Sequence, residues 1–202
     1  LWGETPNDNR PLALPAFSDT TDKTSAQMGV DFLTALWAEN HGRSMMMRNG
    51  LISQYLGGSV YKLTFVPNQT WRRFPIKLES VYPSNFVGIP MSGDEYRLEE
   101  AWFIKAISPG EAMRRYGMNF AAEEEHGELV YHIEYWNTDY WDATINGKPI
   151  PRYGVLDPDT GRQMYYEGDN PFGFVPAAYI PHIRENAFYG TPLITSNITG
   201  IV

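Results

Sequence analysis

The chain has 202 residues, a formal charge of −8 and no cysteine, with 43% apolar and 20% charged residues. That length suits one large domain or two small ones with a sizeable core, and the composition excludes a disordered or fibrous chain. Disulfide scaffolds, zinc ribbons and thiol catalysis are excluded with the cysteines. No apolar run is long enough for a membrane-spanning helix, and the acidic balance disfavours tight binding to nucleic-acid phosphates.

Residues 1–24 are rich in Pro, Asn, Asp and Thr and read as an extended arm or linker. A helix is expected from Thr24-Ser25, with Ser25 as its cap, because Met28, Phe32, Leu33, Leu36 and Trp37 recur at helical spacing. Gly42 is expected to end it. A second helix is expected over Ser44 to Tyr55, burying Met45, Met46, Leu51, Ile52, Tyr55 and Leu56 and closed by Gly57-Gly58. The two would form a helical hairpin.

From Ser59 the periodicity changes to that of strands. Val60 to Val66, Pro75 to Ser80 and Phe86 to Ile89 fit short strands, with turns at Pro83-Ser84-Asn85 and Ser92-Gly93-Asp94. Tyr96 to Ile107 suits a half-buried strand, although Leu98 to Lys105 also fits a helix. Pro109 to Tyr116 reads as a short helix. Ser108 would cap it, Glu111 would satisfy the cap reciprocally, and Gly117 would end it.

Glu128 to Trp136 alternates, with Leu129, Tyr131, Ile133 and Tyr135 on one side and Val130, His132, Glu134 and Trp136 on the other. After a turn at Asn137-Thr138-Asp139, Tyr140 to Ile145 returns the chain to Asn146-Gly147, a strong hairpin signal. Another turn at Asp157 to Gly161 precedes a short strand over Arg162 to Glu167. The fold class is therefore α+β: an N-terminal helical hairpin, then a mostly antiparallel sheet or sandwich with one short inserted helix. Residues 25–193 form its domain and 194–202 begin a further segment, so both ends read as cuts in a longer chain.

Few constellations carry chemistry. Glu123-Glu124-Glu125 beside His126 reads as a solvated surface run, because adjacent side chains do not converge on one cation. His132 and Glu134 share a strand face, as a metal or acid–base pair would, but no third ligand is identifiable, and they read as a polar pair on a solvated sheet face. Glu134 with Asp139 or Asp142 could form the carboxylate pair of a glycoside hydrolase, although turn aspartates are common. No phosphate-binding loop, nucleophile elbow or metalloprotease helix motif is present. Catalytic, cofactor-binding and metal-binding residues are accordingly expected to be none. Tyr135, Trp136, Tyr140 and Trp141 crowd one hairpin and read as core or subunit-interface aromatics. The alternative is a carbohydrate-binding β-domain that grips sugar rings with the Tyr131 to Trp141 aromatics.

Several segments resemble, in order, the portal proteins of tailed bacteriophages of siphovirus type. They are Gly58 to Leu63; Ile76 to Phe86 with its Pro-x-x-Phe turn; Ile107 to Gly117, a short helix ending in Tyr116-Gly117; and the hairpin His132 to Trp141. The last is Asn170-Pro171-Phe172-Gly173-Phe174-Val175-Pro176, similar to a family signature that precedes the stem-proximal part. The resemblance implies a non-enzymatic structural subunit without cofactor, the N-terminal part of the wing of a ring usually of twelve copies. Its implied partners are other portal subunits, capsid and scaffolding protein, with DNA passing through the channel without sequence-specific binding and no membrane. The implied location is the portal vertex of the virion, assembled in the host bacterial cytoplasm. Stem, clip and crown are not represented in these segments. Pro171 and Pro176, bracketing Phe172-Gly173-Phe174, would make a stiff elbow toward the stem.

Overall fold

The structure, a computed structural model, describes residues 20–65, 73–156, 163–183 and 188–192. In chain order the elements are α1 (Thr20–Glu39), α2 (Gly42–Leu56), β1 (Gly58–Phe65), β2 (Ile76–Val81), β3 (Phe86–Met91), β4 (Asp94–Ile107), α3 (Pro109–Tyr116) and α4 (Ala121–Glu125). There follow β5 (Val130–Asn137), β6 (Tyr140–Ile145), β7 (Lys148–Pro149), β8 (Pro151–Leu156), β9 (Gln163–Tyr165), β10 (Glu167–Asp169) and β11 (Ala177–Pro181). A helical hairpin followed by mostly antiparallel strands makes this an α+β fold. No helix of the described residues is long and apolar enough to cross a membrane.

The chain divides into two compact units. One comprises residues 1–50 with 63–79, the other residues 51–62 with 80–202. In the first unit, α1 starts at Thr20 rather than at Thr24-Ser25, so residues 20–24 are helical and Ser25 lies inside the helix. Thr and Asp are acceptable in a first helical turn, which is why polar composition does not separate arm from helix here. Residues 1–19 and 193–202 lie outside the described residues, and so does the expected turn at Asp157 to Gly161.

Gly42 opens α2 instead of ending α1, and His41, at φ 52°, turns the chain between them. The glycine serves close approach: a Cβ there would stand 2.0 Å from the Trp37 ring. Glu39 and Asn40, at the end of α1, grip the chain leading into β2. The Glu39 carboxylate accepts from the Arg73 and Phe74 amides at 2.9 and 3.2 Å. The Asn40 amide donates to the Leu36 and Ile76 carbonyls while its oxygen accepts from the Leu78 amide at 2.9 Å.

The buried side of α2 differs from the expectation. Gly42, Asn49 and Ile52 are buried, whereas Leu51, Tyr55 and Leu56 are exposed. The inward stripe follows positions 42, 45, 46, 49 and 52, and Leu51 and Tyr55 fall beside it.

The second unit is built on a sheet ordered β10-β6-β5-β4-β3, with β7 also paired to β6. β4 is a strand throughout, held on both edges. Ala101 pairs with Gly88 of β3 and Trp136 of β5, and Phe103 pairs with Phe86 and Glu134. That double pairing decides against the helical alternative for Leu98 to Lys105. Asn146 (φ 47°) and Gly147 (φ 75°) turn β6 into β7, as the sequence predicts. The first five residues of β1, Gly58 to Lys62, pair antiparallel with β11.

One face of the large sheet is covered and forms two core clusters. Val60, Phe86, Leu98, Ala101, Phe103, Trp136, Val175 and Tyr179 make one. Ile107, Ala112, Phe120, Val130, Ala143, Ile145 and Ile150 make the other, and Trp141 packs against both. α3 lies over the second cluster through Ala112 and Tyr116.

Candidate functional site

Strand period decides where the polar residues of β5 go. Val130 and Trp136 are buried, so His132 and Glu134, an even number of residues from each, point to the same covered face. This overturns the expected solvated pair. In the sheet register His132 stands between Lys105 and Ile145, and Glu134 between Phe103 and Ala143.

The Glu134 carboxylate accepts a hydrogen bond from the Lys62 ammonium of β1, a charge-assisted contact between side chains only 7% and 25% exposed. Lys62 also lies 4.4 Å from the centre of the Phe103 ring, and the Trp136 indole N–H donates to Glu134 at 3.4 Å. Burial pushes the Glu134 carboxyl up, but the Lys62 charge and hydrogen bond outweigh it and hold it below the usual range. His132 is stacked on Tyr116 of α3, ring centres 5.4 Å apart. Burial, aided by Lys62, Lys105 and Arg115 and opposed by Glu134, holds His132 below its ordinary value and favours its neutral form. Burial raises the Tyr116 hydroxyl against the neighbouring Arg115 charge.

This arrangement fixes β1, β5 and α3 to one another through a paired charge and a stacked ring. No group of three or more His, Asp or Glu among the described residues could hold a metal ion. Lys62 was missed in the sequence. The available signal was its position two residues after the fully buried Val60 in a strand, an inward register for a lysine.

The motif residues take definite local roles. The Ser108 hydroxyl accepts from the Glu111 amide at 3.1 Å, and Gly117 ends α3 in the left-handed region at φ 67°. The reciprocal bond expected from Glu111 is replaced: its carboxylate pairs with Arg115 at 3.0 Å and Lys105 at 3.5 Å. Asn170 is buried and ties the segment after β10 to the β5–β6 turn. Its amide donates to the Asn137 carbonyl at 2.6 Å and the Phe174 carbonyl at 2.9 Å, and its oxygen accepts from the Phe172 amide at 2.9 Å. Gly173 adopts φ 64°, Phe172 packs on Trp136 at 6.1 Å between ring centres, and Pro176 is fully buried.

The hairpin aromatics do not form one cluster. Trp136 and Trp141 stack at 5.1 Å and 13° on the covered face. Tyr135 stands on the opposite face, where it meets Trp102 at 5.0 Å, and Tyr140 lies on that face too. Asp142, opposite Tyr135 on β6, lies on the face away from Glu134, so the two carboxylates are not brought together. Asp139 is exposed in the turn. No protein-family model matches this chain, and no curated protein matches it either.

Proposed function

We propose that this chain is part of the wing of a bacteriophage portal, a structural subunit of the ring through which DNA is packaged and ejected. The observation that carries the reading is the ordered motif series, two members of which have defined local roles in the second unit. The Tyr116-Gly117 motif closes a capped helix whose Tyr116 ring supports the sheet. The Asn170 to Pro176 motif is a hydrogen-bonded elbow pinned to the β5–β6 turn. Segments that stiffen a scaffold suit a component that must resist deformation while another molecule moves past it. A half-buried, paired Glu134 and a stacked His132 whose neutral form is favoured fit bracing rather than proton transfer.

In this reading the partners are further copies of the subunit, with capsid and scaffolding protein around them, and the location is the portal vertex of the virion. The acidic charge of −8 suits a conduit that does not grip DNA. Electron microscopy of the full-length protein tests it. Rings with a central channel are expected, and particles without rings would overturn the reading.

A further inference from the structure

β3 closes one end of the large sheet, and no described strand pairs with its outer edge. Such an edge presents amides and carbonyls on which a further strand can build, and apolar side chains beside them raise the hazard. Val87 and Ile89 are 45% and 43% exposed. Alternate residues of an edge strand turn both backbone groups outward. The N–H and C=O of Gly88 both meet the Tyr189 hydroxyl, so the outward set on β3 is Phe86, Gly88 and Pro90. The Phe86 N–H donates to the Pro83 carbonyl. The Tyr189 hydroxyl accepts from the Gly88 amide at 2.8 Å and donates to the Gly88 carbonyl at 3.2 Å. Pro90 has no N–H at all. None of the three positions offers an amide to another chain.

Tyr189 is seated by contacts that do not involve Gly88. Its ring meets Tyr179 of β11 edge-on at 5.3 Å and Phe188 at 5.0 Å between centres. The next amide, Gly190, donates to the Tyr179 hydroxyl at 2.9 Å, and the Thr191 amide donates to the Ile183 carbonyl at 2.9 Å. Gly190 also comes so near the main chain that a Cβ there would stand 2.1 Å from the Gly57 carbonyl oxygen. Residues 188–192 are thus a fitted strap across β3, and all these groups belong to the second unit.

We infer that Tyr189 guards the β3 edge: its hydroxyl stands in for one residue of a further strand and keeps the sheet from adding one. A hydroxyl suits this task because it both donates and accepts, as a strand residue does, yet carries no neighbouring peptide to continue a ladder. The guard acts within one chain and is independent of the portal reading.

Two experiments on the full-length protein test it. Tyr189→Phe keeps the ring on Tyr179 and removes only the hydroxyl, and the Gly88 amide should then exchange with deuterated solvent about fivefold faster. Unchanged exchange overturns the guard. Tyr189→Ala removes the ring as well, and β3 of a second copy serves as the probe strand. Antiparallel pairing about Gly88 sets position 87 of one copy against position 89 of the other, with Cα atoms about 4.5 Å apart, a separation that a disulfide spans. The cysteine-free sequence lets Val87→Cys and Ile89→Cys preparations be mixed and oxidised. With Tyr189→Ala in both, the mixed disulfide should form about tenfold more than with Tyr189 in place, and well above either homodimer. The cysteines report on this edge alone, whatever else the copies assemble into. Equal yields with and without Tyr189, or homodimers that match the mixed product as random collision of unfolded chains would give, overturn the guard.

Discussion

Lys62 of β1 and Glu134 of β5 are 72 residues apart in sequence and form an ion pair on the covered face of the sheet. The pair is enclosed by Phe103, under the ammonium, and by the Trp136 indole, which donates to the carboxylate. Removing water from both charges is costly, and their attraction with these added contacts offsets that cost only while both partners are present.

Lys62→Met therefore leaves Glu134 without its counter-charge and should destabilise the protein by about 3 kcal/mol. That is the low end for breaking a buried pair, because Glu134 keeps some solvent contact. The double variant Lys62→Met/Glu134→Met should lose less than either single one. Urea unfolding of the four proteins checks this; a double variant as unstable as the sum of the singles would refute the pairing argument.

The same cluster makes the fold acid-sensitive. Glu134 is held below its ordinary 4.5, so it contributes stability above that value which is lost as pH falls through the folded value. His132, held below its ordinary 6.5, stays neutral in the fold while the unfolded chain takes up a proton. Stability therefore starts to fall as pH drops through 6.5 and continues until His132 itself protonates. Urea midpoints between about pH 7.5 and about pH 5.5 should decline less steeply in His132→Gln than in the parent. Equal slopes would remove His132 from the account.

Legibility in the sequence followed the range of the interaction. The Ser108 to Gly117 helix and the Asn146-Gly147 turn were readable because cap, glycine and turn chemistry act over a few residues. The alternation of β5 was readable as well, but which of its faces is covered was not. A strand pattern fixes two sides, and only packing from Val60, Tyr116 and Val175 decides which is inside. So His132 and Glu134 read as solvated, and the partner of Lys62 is not legible locally, since it comes from a distant strand. In α2 the large apolar residues read as the buried ones, whereas the inward positions include the small polar Asn49.

The two ends of α3 give a local test of the motif. Ser108→Ala removes the acceptor for the Glu111 amide and should cost about 1 kcal/mol. Gly117→Ala forces a Cβ into the left-handed region at φ 67° and should cost about 1 kcal/mol too. The sites lie at opposite helix ends with no shared partner, so the losses should add in a thermal or urea titration. A neutral Gly117→Ala would mean that the helix end shifts to accommodate it.

Asn170 supplies the sharpest single-residue test of the elbow, because its amide and its oxygen are used in opposite senses. Asn170→Ala removes the side-chain donor to the Asn137 and Phe174 carbonyls and the acceptor of the Phe172 amide, and should cost about 3 kcal/mol. Asn170→Asp keeps the acceptor for Phe172 but turns a second oxygen toward two carbonyls that need a donor, so at neutral pH it should be no better than alanine. It should recover as pH falls and the new carboxyl gains a proton to donate. Unfolding followed by tryptophan fluorescence reports on the same region, because Phe172 packs against Trp136. If Asn170→Asp matched the parent at neutral pH, the donor bonds to Asn137 and Phe174 would not be what holds the elbow.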